Sequence, residues 1–288
     1  MTGNTGNTGN TGNTGNTGNI GISGGGGGWL LSDRVDLPFV TAPDATGEPI
    51  GDLRRAGPAN FPDRNWAANW NAWLALHEFI AVDWKTDAAA KIDTAWQAID
   101  TKLEINDLVL AAENERADAL GEILSQDGEF FSDFMGLLAM TPSSYPATYR
   151  VMHIASLIGS FTALYFKGKY NRIRPSQLCP ALLPPVPVPG HSSFPSGHST
   201  QAHLMARCAV YVLTQAGLPA ADLAVLTSDL AVLADRIARN REIAGLHYSS
   251  DSNGGILLAQ SVFSTLTAAT SGKFYDAVAK AATEWAPS

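Results

Sequence analysis

The chain has only two cysteines among 288 residues, Cys179 and Cys208. Neither stands in a zinc-ligand or C-x-x-C spacing, and two thiols are too few for a disulfide framework. One Cys179–Cys208 bridge or two unpaired thiols are both compatible with that count. Long hydrophobic runs are missing too: nothing reaches the roughly 18 apolar residues of a membrane-spanning helix. The nearest stretch, Val151 to Phe166, is interrupted by His153, Ser156 and Ser160 and reads as a core helix. A third absence is local. Between Phe134 and Ala221 there is no Asp or Glu, yet Arg150, Lys167, Lys169, Arg172, Arg174 and Arg207 all fall there. The whole chain carries 19 Lys and Arg against 27 Asp and Glu, a formal charge of −8. That balance argues against nucleic acid or an anionic membrane surface as a partner. A cationic stretch inside an acidic chain suits a small anion, although a charge-poor core segment would have the same composition.

Glycine is concentrated rather than scarce. Residues 1–28 hold 12 of the 27 glycines and no charged side chain, and Thr2 to Asn19 is six copies of Thr-Gly-Asn. Such a segment buries too little apolar surface to offset chain entropy, so it is expected as a low-complexity tail. It lacks the basic and apolar regions of a secretory leader. The expectation is a soluble chain, periplasmic or secreted if a leader was removed and otherwise cytoplasmic. Residues 29–63, punctuated by Pro, Gly and Asp, are expected as an extended wrapping segment.

From Arg64 to Ser288 the pattern is helical. Trp66, Trp70, Trp73, Leu74 and His77 share one helix face, which reads as core or as a dimer contact. Further helices are expected over Thr86–Thr101, Ile105–Ser125, Gly128–Ala139 and Ser143–Gly168, with Ser143 or Ser144 capping the last. Seven of the sixteen prolines crowd into positions 175–195, which argues against helix or central strand there. Helices resume over Ser196–Ala216, Ala220–Ile243, Asp251–Thr270 and Lys273–Trp285. Little alternates as a strand would, so the fold class is all-α, a single helical-bundle domain of residues 64–288.

Three clusters carry chemistry. In Lys167-Gly-Lys-Tyr-Asn-Arg-Ile-Arg174-Pro175, seven residues separate two cations, close to two helical turns, which predicts one shared face at a helix end. They would repel unless an anion sat between them, or they form an ordinary solvated helix end. In Pro195-Ser196-Gly197-His198, the loop becomes a helix whose first N–H groups can cradle an anion. Ser196 can add a hydroxyl bond and His198 can act as acid or base; a plain capping sequence would look similar. In Asn240-Arg241-x5-His247-x3-Asp251, the i,i+4 pair lets a carboxylate fix one imidazole nitrogen, leaving the other as nucleophile or ligand. The guanidinium of Arg241 suits phosphate-like oxygens. A structural Asp–His pair is the alternative. Of the other histidines, His77, His153 and His203 read as core or helix-surface residues.

Together, Lys167-x6-Arg174-Pro175, Pro195-Ser196-Gly197-His198 and Arg241-x5-His247-x3-Asp251 resemble the three-part signature of the type 2 phosphatidic acid phosphatase superfamily. That superfamily includes soluble bacterial acid phosphatases, membrane lipid phosphatases and vanadium-dependent haloperoxidases. The likeness covers about 85 residues in the family's order and departs from it at Asn240, where serine is usual. It implies a metal-independent phosphomonoester hydrolase without a cofactor. Lys167, Arg174 and Arg241 would grip the phosphoryl oxygens, with Ser196 and the Gly197 N–H completing the cradle. His247, oriented by Asp251, would form a phosphohistidine, and His198 would serve the leaving group and then water. The alternative implied is a haloperoxidase with vanadate bound on His247, towards which His191 points as the position of an extra histidine in bromide-oxidising members. A non-catalytic phosphate or vanadate binder is a weaker alternative. The partner implied is a small phosphate ester or other tetrahedral oxyanion, with no nucleic acid and no membrane span; a homo-oligomer stays open.

Overall fold

The structure, a computed structural model, describes residues 61–286. The expected tail, residues 1–28, and nearly all of the expected wrapping segment lie outside the described residues. The chain divides into two units, Asn16–Ala67 and the remainder. Of the first unit only residues 61–67 are described, with a 3-10 turn at Asp63–Asn65. The second unit, described from Ala68, carries the rest.

All regular structure among the described residues is helical, as expected. The helices are α1 (Ala68–Phe79), α2 (Lys85–Gln97), α3 (Thr101–Asn114), α4 (Arg116–Gly128), α5 (Phe131–Leu137), α6 (Pro146–Tyr170), α7 (Pro175–Leu178), α8 (Gly197–Gln215), α9 (Ala220–Ile243), α10 (Ser249–Ala268) and α11 (Lys273–Glu284). No helix among them is long and apolar enough to cross a membrane.

α6 and α8 form the centre. Both are buried through most of their length, which requires partners on several sides. α1 and α11 pack on α6, α9 and α10 flank α8, and α2 lies on α10. Gly159 permits a tight α6–α8 crossing, since a Cβ there would stand 3.1 Å from Gln201 Cα. The core runs from Trp84, Ile92 and Phe166 through Ile154, Leu204 and Met205 to Leu230 and Val262. α3, α4 and α5 lie against α9, and this lateral packing covers the end of α9 that bears Arg241.

Several expectations change. The helix expected over Ile105–Ser125 is two, divided at Glu115, whose φ of −119° departs from the helical value while its ψ of −23° stays in the right-handed region. Neither Ser143 nor Ser144 caps α6; Ser144 bonds Thr141 instead, and Pro146 opens the helix. The first N–H groups of α6 are met from a distance. Glu284 of α11 accepts from Ala147 N at 2.7 Å, Thr148 N at 2.8 Å and Thr148 Oγ1 at 2.7 Å. Prolines 175–195 do not exclude helix: α7 starts on Pro175, and a 3-10 turn starts on Pro180. Proline is tolerated at a first helical position, where its missing N–H has no acceptor to lose.

The tryptophan face is not core. α1 begins after Trp66, and Trp70 and Trp73 are 48% and 45% exposed. The buried face is Ala72, Ala75, Leu76 and Phe79, with Asn69 and Asn71. Both faces have helical periodicity, and the smaller side chains let α1 approach α6 closely. Cys179 is part-buried and Cys208 buried, and neither is bridged.

The clasp between Glu284 and the start of α6 is expected to contribute as a strong N-cap does. Glu284→Ala should destabilise the protein by about 1–2 kcal/mol and lower Tm by roughly 2–6 °C. Thermal unfolding followed by circular dichroism checks this, and an unchanged Tm would show that the contact contributes little.

Candidate active site

Lys167 lies in the last turn of α6, and Asn171 just beyond adopts the left-handed conformation (φ 50°) and ends the helix. Arg174 therefore leaves the helix, and the expected shared helical face of Lys167 and Arg174 is not what joins them. They meet because the loop at His191–Ser193 folds back over both. Lys167 Nζ donates to the carbonyls of Ser192 (2.9 Å) and Ser193 (2.7 Å). Arg174 Nε donates to the His191 carbonyl, and its Nη1 to the Leu246 carbonyl, each at 2.9 Å. Both cations are buried, although the loop that covers them contains no carboxylate.

Ser196 caps α8: its Oγ accepts from Ser199 N at 3.3 Å, and its own N–H donates to the Asp251 carbonyl at 2.9 Å. Gly197 and His198 open the helix, so their N–H groups have no intrahelical acceptor. His198 Nε2 stands 3.2 Å from the Gln126 carbonyl near the end of α4, and its ring packs on Phe130 at 5.4 Å. α10 passes close behind. A Cβ on Gly255 would stand 2.9 Å from the Ser196 carbonyl oxygen and 2.7 Å from Ser199 Cβ. Only glycine lets α10 lie against this loop without displacing it.

Arg241 is in the last turn of α9, and Gly245 (φ 74°) then turns the chain towards α10. His247 precedes α10, so the expected pairing of His247 and Asp251 on one helix face is replaced by a capping contact. Asp251, the third residue of α10, reaches back. Its Oδ2 accepts from Tyr248 N at 3.0 Å, pairs with His247 Nδ1 at 3.1 Å and accepts from Ser193 Oγ. With Nδ1 donating, His247 Nε2 keeps its lone pair and lies 3.5 Å from Arg174 Nη1. Arg241 donates from Nη2 to the Ile123 carbonyl at 2.8 Å, while its buried Nε and Nη1 have no hydrogen-bond partner. The nearest carboxylate oxygen to Nη1 is Asp127 Oδ1, at 3.6 Å. Orphaned guanidinium N–H groups in a buried place are costly unless an acceptor joins them.

The electrostatics point the same way. Burial, with Arg174 beside it, pushes the Lys167 ammonium well below the usual lysine range, against the pull of Asp251. Arg174 and Arg241 are each lowered to about 10 by burial, opposed by Asp251 and Asp127 respectively. Burial, then Arg174 and Lys167, holds His247 well below its usual range. Burial, then Arg241 and His247, does the same to His198. The cluster thus resists its own positive charge, and a bound oxyanion would reverse that field.

His191 joins the site: its Nδ1 is 3.1 Å from Arg174 Nη2, its Nε2 is buried without a partner, and burial lowers it to about 4. Asn240 instead faces α4, donating to Glu122 Oε2 and Gln126 Oε1, each at 2.9 Å. It therefore steadies the residue whose carbonyl meets His198. Elsewhere His77 is exposed, and His153 is packed between Phe131 and Tyr149 with its basicity lowered to about 4 by burial. His203 pairs with Asp235 at 3.0 Å.

Sequence reasoning missed Gln126 and Glu104, which lie outside the three clusters and left no signal. It counted Arg172 only as charge. The Gly254-Gly255 pair inside a helical pattern was a usable signal of close backbone approach.

Residues 149–274 match the sequence profile of the PAP2 superfamily, a span that contains Lys167, Arg174, Ser196, Gly197, His198, Arg241, His247 and Asp251. Among solved structures the chain is similar to a transmembrane PAP2-type phosphatidylglycerolphosphate phosphatase from Bacillus subtilis. That likeness has 18% identity and a TM-score of 0.33, and covers 68% of this chain and 92% of the other. No curated protein matches the chain.

With the direction above, His247 should titrate below pH 6.5, so it stays neutral as pH falls through the ordinary histidine range. Lys167→Met removes one cation that depresses it, so the midpoint should move up. Ring-proton NMR titration of both proteins checks this, and an unshifted midpoint would contradict the field described.

Proposed function

We propose, from the premise that residues 149–274 form a PAP2 superfamily domain, that the protein hydrolyses phosphomonoesters through a phosphohistidine, with no metal or cofactor in the reaction. The observation that carries this reading is the state of His247. Its Nδ1 is committed to Asp251, while Nε2 remains beside Arg174, and the charge of Arg241 also acts on the ring.

The phosphoryl group would lie among Lys167, Arg174 and Arg241, whose fixed positive charge offsets the charge of its oxygens. The N–H groups of Gly197 and His198 at the start of α8 and the Ser196 hydroxyl would complete the cradle. Preorganisation matters here. The cations are already desolvated and anchored by backbone carbonyls, so little rearrangement accompanies the reaction.

In the first step the Nε2 lone pair of His247 attacks phosphorus as the P–O ester bond breaks. His198 gives its proton to the departing alkoxide. In the second step water attacks phosphorus, the P–N bond breaks, and His198 takes the proton from water. His198 must therefore gain a proton once the substrate is bound. Burial and Arg241 depress its basicity, and a phosphate dianion beside it raises it.

A second reading has one observation in its favour, His191 at the pocket with Nε2 buried and unpartnered. The same cations and His247 fit vanadate, which would supply halide oxidation by peroxide. Vanadate would then be a resident group rather than an inhibitor.

The test is hydrolysis of p-nitrophenyl phosphate by the purified protein without added metal. His247→Ala should lower turnover by roughly a thousandfold or more. With this good leaving group, His198→Ala should form phosphohistidine and release it slowly. Vanadate should inhibit the wild type. No hydrolysis, together with bromide or iodide oxidation by the vanadate-loaded protein, would replace the first reading with the second.

A further inference from the structure

Arg172 belongs to none of the signature positions, yet its guanidinium is held by four side chains beside the site. It follows the turn at Asn171 and is only 6% exposed. Its Nη1 donates to Asp251 Oδ1 at 2.6 Å and to Ser250 Oγ at 2.7 Å. Its Nη2 donates to Glu104 Oε2 at 2.8 Å and to Thr101 Oγ1 at 3.2 Å. The guanidinium carbon stands 3.7 Å from the centre of the Tyr248 ring, and the Arg172 carbonyl accepts from Ser193 N at 2.9 Å. Glu104, on α3, is itself held by the start of α10. Its Oε1 accepts from Ser250 N at 2.7 Å and Ser249 Oγ at 3.0 Å, and its Oε2 from Ser250 Oγ at 2.9 Å.

The two oxygens of Asp251 are thereby divided. Oδ2 serves His247, Tyr248 and Ser193, while Oδ1 is taken by Arg172. A carboxylate bound only through Oδ2 could rotate about its own axis, and the acceptor for His247 Nδ1 would move with it. A guanidinium is planar, and a stacked aromatic face below it leaves one orientation open. Its two ends here meet two carboxylates from different helices, α3 and α10. The line Glu104–Arg172–Asp251–His247 therefore ties the nucleophile candidate to a helix outside the matched span.

We propose that Arg172, held by Glu104, is a positioning residue that fixes the tautomer and direction of His247 through Asp251. This rests on the reading of His247 as nucleophile, and it extends that reading to two residues that do not touch the substrate. An ion pair that merely held α3 to α10 would affect melting and leave the imidazole unchanged.

Two variants test it. Arg172→Lys keeps the charge, but one ammonium lacks the fork that reaches both carboxylates. It should lower kcat roughly 10- to 100-fold, with KM within about twofold and phosphohistidine formation slowed by the same factor. Glu104→Gln keeps the shape and an oxygen for Ser249 and Ser250 while removing the acceptor for Nη2, and should lower kcat by about tenfold. The decisive readout needs no turnover. ¹⁵N NMR of His247 should report one tautomer, protonated on Nδ1, in the wild type and a mixture in both variants. If hydrolysis is absent in the wild type but the tautomer shifts, the hydrolase reading fails and the clamp stands. If the folded variants keep both kcat and the wild-type tautomer, the proposal is overturned, whatever happens to Tm. Should Arg172→Lys fail to fold, the isosteric Glu104→Gln decides.

Discussion

Three cations taken out of water in one place are the constraint on which the rest of this structure depends. Lys167, Arg174 and Arg241 are each at most 2% exposed. Burying one charge without compensation is prohibitive, and burying three together adds mutual repulsion. The chain meets this with dipoles. Carbonyls of His191, Ser192, Ser193, Leu246 and Ile123 accept from the three side chains. Dipoles hold a charge in position without cancelling it, which leaves a positive field for an incoming anion. The carboxylate at the centre, Asp251, is turned to Arg172 and His247.

The fold serves that arrangement through close crossings. α6 brings Lys167, α8 begins with the Ser196–His198 turn, α9 ends with Arg241, and α10 begins just after His247. Four helix ends must converge, and side chains of ordinary size would hold them apart. Gly159 lets α6 meet α8, and Gly255 lets α10 lie against Ser196 and Ser199. α4 closes the far side, where the Gln126 and Ile123 carbonyls reach His198 and Arg241. The groups that satisfy each terminus also orient the side chains of the site, so the packing of these ends and the geometry of the site are linked.

Much of this was legible in the sequence. Helices α9 and α11 and the bodies of α6, α8 and α10 followed from apolar periodicity. The three clusters were legible because their residue types are individually unusual and fall in a short span. What was lost had physical causes. The His247–Asp251 spacing suggested a helix face, but the contact is made by a capping carboxylate reaching back from α10. The Lys167–Arg174 spacing suggested the same, but a left-handed residue at Asn171 intervenes. The tryptophans of α1 stood out by size, whereas the helix turned its alanines inward to approach α6. Glu104, Gln126 and Glu284 reach Arg172, Ser250, His198 and Ala147 across 68 to 146 positions of chain, and one sequence carries no trace of such pairings.

We propose that a tetrahedral oxyanion offsets the charge of Lys167, Arg174 and Arg241. Ligand-dependent thermal stability measures this directly, since an anion that binds only the native state must raise Tm. Orthovanadate or inorganic phosphate at 100 times its Kd should add about 2.7 kcal/mol to the wild type. Chloride at equal ionic strength should add nothing comparable, and Arg241→Gln should lose most of the gain. A wild-type Tm indifferent to both oxyanions across millimolar concentrations would show that these cations hold no oxyanion.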